Sequence, residues 1–447
     1  EKDSSRILHT YLAITTLAVI PTNPFMNPKP PFQKTALFGL SFLLWATATN
    51  SRAQTVVVTS LNPAGASASG VNDLAAGQQA GRATIGTAVH AAIWSGSAAS
   101  FVDLHPAGFS DSIIRATSGS QQGGQALTLT EAKAALWTGT AASFVDLHPV
   151  GVDKSFIADL MTGQQVGAVT TAGVSSAAIW SGSAGSFVSV APGGSTQSTL
   201  FATTGLQQAG FATFGGIRQA GVWAGTAGSF VNLHPAGATD SFLSDTTGIE
   251  QVGSATFSDV EQAGKWNGTA ASFVSLHPVA AASSRANFTN GFHQVGVVTV
   301  SGVDHAAIWM GSAVSFVDLQ ALLPSDYNSS SASGADVIAG RTRVVGTAFN
   351  ATLARNEAVQ WLFLAPKVKI SGPKSRESNR NVLRIAGSTS GHVSEVSFRN
   401  GADKGKAKGT KTWKLSAKLR PGRNLIRVQA TGLGGKSKTK VVKVMRG

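Results

Sequence analysis

A tryptophan returns at a fixed interval through the middle of this chain, at Trp94, Trp137, Trp180, Trp223, Trp266 and Trp309, each 43 residues after the last. A phenylalanine keeps the same step, from Phe101 through Phe144, Phe187, Phe230 and Phe273 to Phe316. A constant period of this length restricts the chain to a repeat architecture, in which one supersecondary unit recurs and buries its apolar face against its neighbours. The unit is clearest at Trp137-Thr-Gly-Thr-Ala-Ala-Ser-Phe-Val-Asp-Leu-His-Pro149.

Each period holds four short candidate strands separated by turn residues. In one unit these are Ser155–Leu160, Gln165–Thr170 after a Gly-Gln-Gln turn, Ala177–Trp180, and a Ser-Phe-Val run after a Gly-Ser turn. Four strands in a period of this size make one propeller blade. The second-strand glycine occurs at Gly81, Gly124, Gly167, Gly210, Gly253, Gly296 and Gly346, and the third-strand tryptophan at the six positions above and at Trp361, which gives seven units. The fourth strand also occurs seven times, but it opens the domain at Val58 and is missing after Trp361. A ring accounts for this offset, because the N-terminal strand can serve as the outer strand of the last blade and leave no open edge.

The expected fold is all-β: a seven-bladed β-propeller over residues 54–365, closed by its N-terminal strand, then a small β-sandwich over residues 366–447. Trp309 and Trp361 stand 52 residues apart, and the extra residues, Pro324–Asp336, read as a flexible polar closure loop. In the last part, Val368–Ile370, Val382–Ile385, Val393–Phe398, Thr412–Leu415, Asn424–Ala430 and Lys440–Val444 alternate apolar with polar or basic residues. That is the pattern of strands with one face inward and one outward.

The formal net charge of +14 is unevenly placed. Residues 366–447 carry 21 Lys and Arg against 3 Asp and Glu, whereas residues 54–365 carry 10 against 17. The basic character belongs to the tail, and a nucleic-acid role for the propeller is not expected. With no cysteine, the chain has neither disulfides nor a thiolate nucleophile or ligand.

Residues 26–53 read as a secretory signal peptide, with a basic start at Met26–Lys34, an apolar core from Thr35 to Ala48, and Ser51-Arg-Ala53 as a small-x-small cleavage site. Residues 1–25 then fall upstream of the natural start, as an over-extended reading frame. The mature protein is expected in the secreted or cell-envelope compartment, without a transmembrane span and as a monomer.

His90-Ala-Ala-Ile-Trp94 and His305-Ala-Ala-Ile-Trp309, each followed by Asp-Leu, resemble the HAF-type extracellular repeats of bacteria, whose units read roughly His-Ala-Phe-x-Trp, Asp-Leu-Gly, Gly-Gln-Val-Val-Gly. The resemblance recurs along the propeller and implies export and a propeller, with no catalytic residues. Here the histidine stands in two units only, and Asp-Leu is often followed by His-Pro. The stretch Trp413–Ala430 resembles bacterial immunoglobulin-like modules appended to exported proteins, which implies a spacer or adhesion role for the tail.

Two columns suggest function. The tryptophans, Trp94, Trp137, Trp180, Trp223, Trp266, Trp309 and Trp361, are expected to fill the wedges between blades, the other reading being sugar-stacking faces. His105, His148, His234 and His277 each precede a proline at the end of the fourth strand, and His90, Lys133, Arg218 and His305 belong to the hairpins on the same face. These eight are the candidate ligand-binding residues, for an anion or acidic glycan. No metal and no cofactor is expected, because blades place equivalent residues far apart. The plainer reading is that each His-Pro histidine hydrogen-bonds its own turn.

No nucleophile elbow and no sialidase-type box is present, and near-identical blades repeat their carboxylates where catalysis needs an unequal constellation. The expected function is an exported, non-enzymatic repeat protein acting as a binding or structural module at the envelope or outside the cell. A multivalent carbohydrate-binding lectin and a propeller glycan lyase or hydrolase stay open as alternatives; the enzyme requires unequal residues from several blades on the His-bearing face. The expected partners are a cell-surface glycan or another envelope protein. For the basic run Gly401–Lys411 the candidates are acidic polysaccharide or lipopolysaccharide, with a solvated loop as the plain reading.

Overall fold

The structure, a computed structural model, describes residues 56 to 447 apart from Thr162. The signal-segment and upstream readings, residues 1–53, lie outside the described residues. The chain forms a β-propeller of seven four-stranded antiparallel sheets, then a two-sheet sandwich. Blades 1 to 6 span residues 66–103, 111–146, 154–189, 197–232, 240–275 and 283–318, and blade 7 consists of Tyr327–Ile338, Arg341–Asn350, Arg355–Phe363 and the N-terminal strand Val56–Ser60.

That N-terminal strand pairs antiparallel with Arg355–Phe363, placing Val58 opposite Trp361. Ser60 Oγ donates to Glu357 Oε2 at 2.9 Å, and the Tyr327 hydroxyl donates to the same oxygen at 2.6 Å. Blade 7 also bonds to blade 1, through Ser333 Oγ to the Val71 carbonyl and the Ala358 N–H to Ser69 Oγ.

The repeated residues have local causes. In every blade the first strand carries an extra residue that shifts the register, at Asn72, Arg115, Ala158, Phe201, Ser244, Asn287 and Ser333, and blades 1 and 7 have a second at Ser67 and Asn328. Such a bulge bends the strand and drives its backbone towards the facing position. A Cβ at Gly210 would stand 2.0 Å from the Thr199 carbonyl oxygen, and the same approach recurs at the other six second-strand glycines. Glycine is required there for lack of a side chain.

All seven tryptophans are at most 1% exposed. Each packs between neighbouring sheets, and Trp223, Trp266 and Trp361 donate their indole N–H to the carbonyls of Val190, Leu233 and Leu319 in the preceding blade. Burial on both ring faces rules out the sugar-stacking reading of this column.

Two sequence expectations need correction. The fourth strand is shorter than Phe-Val-Asp-Leu: in blade 2 it spans Val145–Asp146, with Ala141–Ser143 forming a 3-10 turn ahead of it, and the Leu147 N–H donates once more to the third strand, at the Ala134 carbonyl. Phe144 closes that turn with its ring 5.6 Å from the Trp137 ring. Nor is Pro324–Asp336 a flexible loop. Most of it lies in the twelve-residue first strand of blade 7, Tyr327–Ile338, whose Ser and Ala residues alternate between more and less covered positions. The insertion lengthens the first hairpin into an arm, and the arm meets the tail.

The tail packs a sheet of Lys367–Ile370, Val382–Ser390 and Thr412–Lys418 against a larger one running Ser375–Ser378, Lys440–Arg446, Gly422–Gly432, Glu395–Asn400 and Asp403–Lys406. The first pairing of the larger sheet is parallel. Between them lie Val368, Ile385, Phe398, Trp413, Ile426 and Val442. Leu433, at the tip after Gly422–Gly432, is 3% exposed and joins the blade 7 core beside Trp361 and Phe363. The Thr342 N–H donates to its carbonyl at 2.8 Å.

Candidate functional site

The second residue of the first strand in blades 2 to 6 is a buried serine that joins two blades. Its hydroxyl accepts a backbone N–H from the third strand of the blade before: Ala91 to Ser112, Ala134 to Ser155, Ala220 to Ser241 and Ala263 to Ser284, all at 2.8–2.9 Å. The same hydroxyl lies 2.7–2.8 Å from Nδ1 of His105, His148, His234 and His277 in the His-Pro column. Nε2 of His105 and His234 then donates to the carbonyls of Phe109 and Ala238.

With Nε2 of His105 donating to a carbonyl, a neutral His105 ring accepts the Ser112 hydroxyl hydrogen at Nδ1. Burial pushes the pKa of His105 and His277 below the ordinary imidazole value, in agreement. Amides replace imidazole with the same polarity: Ser69 donates to Asn62 Oδ1, and Ser330 to Gln320 Oε1. The histidine column is thus a seam latch. A Ser-His contact of this kind is not a catalytic dyad, because Ser112 and Ser241 are 0% exposed.

The second set divides. His90 and His305 bond Asp103 and Asp318 on the neighbouring fourth strand at 2.7 and 2.9 Å, and Lys133 reaches Asp146 at 3.5 Å. His90 also stacks on His105, ring centroids 4.2 Å apart. Arg218 belongs elsewhere: in register, Gln219 is the equivalent of His90, and Arg218 stands one position earlier. The structure therefore pairs these residues locally and does not gather the eight into one site. Among the described residues, no three His, Asp or Glu side chains stand close enough to hold a metal ion.

The unequal residues converge around Arg218. Its guanidinium grips Asp240 through two nitrogens, with contacts of 2.7–3.2 Å, and lies 4.5 Å from the Phe242 ring centre and 5.4 Å from that of Phe211. Arg285 binds both oxygens of Glu261, at 2.8 and 3.0 Å, and covers Phe242 at 5.2 Å. Phe201, the bulge residue of blade 4, completes the group at 5.9 Å from Phe211 and 6.2 Å from Phe242. Phe242 is buried, and the others keep part of their surface open.

These residues come from blades 4, 5 and 6, and from positions whose residue type varies among the blades, with a second phenylalanine, Phe156, at the Phe242 position of blade 3. The Phe242 position holds Gly70, Ile113, Phe156, Thr199 and Arg285 elsewhere, and the Phe211 position holds Arg82, Gln125, Ala168, Ser254 and Val297. The repeat does not demand aromatic and guanidinium groups at these positions; one further pair of this kind, Arg115 over Phe156 at 5.0 Å, joins blades 2 and 3. The sequence signal was available as the columns that break the period.

Deeper in the ring, Asp73, Asp159 and Asp245 occupy one position in alternate blades. Each accepts its neighbour's N–H and, at 2.7 Å, one from the next blade: Thr117, Thr203 and Thr289. Burial pushes Asp73 up to about 6 and Asp159 up to about 7, and raises Asp245 well above the ordinary carboxyl value.

No family model and no curated protein matches the sequence. Similar solved structures include a puromycin hydrolase, 8% identical over 72% of this chain with a TM-score of 0.47. The tricorn protease is 12% identical over 84% of this chain and 39% of its own, with a TM-score of 0.38. TolB from Acinetobacter baumannii is 10% identical over 69% of this chain and 80% of its own, with a TM-score of 0.33. The chain spans 58% of the length of the puromycin hydrolase. At such identities the likeness concerns the fold alone.

Proposed function

We propose that this protein is a non-enzymatic binding module of the envelope or extracellular space, with one asymmetric site on the propeller formed by Phe201, Phe211, Arg218 and Arg285. The observation that carries the reading is the convergence of period-breaking residues from three adjacent blades around Phe242. The carboxylates within it, Asp240 and Glu261, are each held by both arms of a guanidinium. Such pairs hold geometry and recognise ligand groups; they leave no carboxyl free to shuttle a proton.

A glycan is the ligand class favoured by this chemistry. Partly open aromatic rings meet the apolar faces of sugars, and guanidinium N–H groups bond hydroxyls. The multivalent version, with equal pockets between blades, loses support because those seams are filled by the tryptophans and serine latches. A glycan array tests the proposal. The protein should bind a restricted set of glycans, and Phe201→Ala and Phe211→Ser, which install the residues of blades 3 and 5, should abolish that binding while preserving the melting profile. Silence across the array, or signals untouched by both changes, would count against it.

A further inference from the structure

The larger sheet of the tail turns a cationic face to solvent, and its registry carries an energetic signature. Arg399 on strand Glu395–Asn400 stands directly opposite Lys404 on one side and Arg427 on the other. Three cations thus lie in one row across three strands, on side chains that are all exposed. Like charges directly opposite each other destabilise a sheet, since their Cβ atoms are only about 5 Å apart. Arg423, opposite Met445, and Lys443, opposite Leu425, extend the same face. Among the described residues the face makes a single ion pair, Lys406 with Glu395, and Arg399 spends one N–H on the Gly401 carbonyl. A row that costs stability and is not neutralised within the protein is explained by a partner that neutralises it.

We propose that this face binds an acidic polysaccharide, a polymer of uronic acid or similarly charged sugars. The row runs perpendicular to the strands, so its charges repeat at the strand spacing of about 4.8 Å. A polyuronate carries one carboxylate on each ring of an extended chain, and so presents a line of anions to such a row. The aromatic residues of this domain, Phe398 and Trp413, are both buried, so the face has no platform for stacking single-stranded bases. A duplex presents its phosphates on a curved surface at a far higher charge density, and a flat face meets it along one line only. At the far edge, Arg423 and Lys443 line an open groove with Ser375, Arg376, Glu377 and Met445, where a chain crossing the sheet would continue.

This inference shares with the proposed function the reading of the protein as a binding module. It uses a different domain, and its failure leaves the propeller site untouched.

The test is binding of the full mature chain to polygalacturonate as a function of salt, beside double-stranded DNA and anionic phospholipid vesicles. The triple variant Arg399→Ser, Lys404→Ser, Arg427→Ser is compared with a control of equal charge loss, Lys367→Ser, Lys374→Ser, Lys438→Ser. Polygalacturonate should bind most tightly, and the row variant should weaken it at least tenfold and flatten its salt dependence. The control should lose about threefold or less. The row variant should also melt about 1–2 °C higher than the parent, because relief of like-charge opposition stabilises the sheet. Preferential binding of DNA or of vesicles overturns the proposal, as does no binding of polygalacturonate or an equal loss in the control.

Discussion

His105 Nδ1 lies 2.8 Å from the hydroxyl of Ser112, and that hydroxyl accepts the Ala91 N–H at 2.9 Å from the blade before. One serine thereby satisfies a backbone donor across a seam, and one imidazole fixes the direction of its hydrogen. The requirement on the column is an acceptor at that point with a donor behind it, which Asn62 and Gln320 also meet.

Replacement of His148 by asparagine should therefore be nearly neutral, whereas alanine should cost about 1 kcal/mol, the worth of a buried hydrogen bond. Equilibrium urea unfolding of both variants measures this. Equal losses for the two would contradict the latch.

At Gly210 the constraint is steric. An alanine Cβ would meet the Thr199 carbonyl at 2.0 Å, and Gly210→Ala should cost about 3 kcal/mol or more. Gly185, in the 3-10 turn of blade 3, has open space around its missing Cβ, and Ala142 stands at the equivalent place in blade 2. Gly185→Ala should stabilise by about 0.4–1 kcal/mol through the unfolded state. Thermal melts of the pair decide both.

Asp73, Asp159 and Asp245 give the propeller a pH dependence of definite sign. Their folded pKa values lie above the ordinary value of 3.8, so the folded state holds these protons more tightly than the unfolded state. The resulting stabilisation is full below pH 4 and is lost as pH rises through about 6 and 7, the folded values of Asp73 and Asp159. Replacement of all three by asparagine should flatten the change in melting temperature between about pH 5 and pH 8. A triple variant with the parent's pH profile would show that these carboxyls are not the source.

Leu433 fastens the tail to blade 7. Leu433→Ala should lower stability by about 2–5 kcal/mol if the joint melts with the propeller. Leu433→Asp should open the connection around residues 364–366 to protease. An unchanged digestion pattern would mean that the joint is held without the leucine.

The period made the architecture legible, since any residue repeated at every blade must answer a demand of the blade itself. It carried Trp137 correctly to packing, and it marked Gly124 as a fixed position without supplying the bulge opposite as the reason. It left open which way a repeated polar group points, so His148 stayed a candidate ligand residue until its nitrogens were located. Arg218 was grouped with His90 because hairpin register is not visible at one-residue precision, and a shift of one residue turns a side chain to the other face. The Ser-rich insertion looked like a loop because its composition is that of one; its alternation supports a strand only against the partner Arg341–Asn350. Phe211, Phe242 and Arg285 were overlooked because attention to the repeat hides what departs from it.

The central claim is that repeated columns hold the propeller together and period-breaking residues bind its ligand. It is tested most directly by one glycan array of the parent, the Phe201→Ala, Phe211→Ser double variant and His148→Asn, run at about 0.5 M salt to screen the basic tail. The account predicts a defined set of signals for the parent, their retention in His148→Asn and their loss in the double variant. Signals that survive in the double variant and vanish in His148→Asn would contradict it.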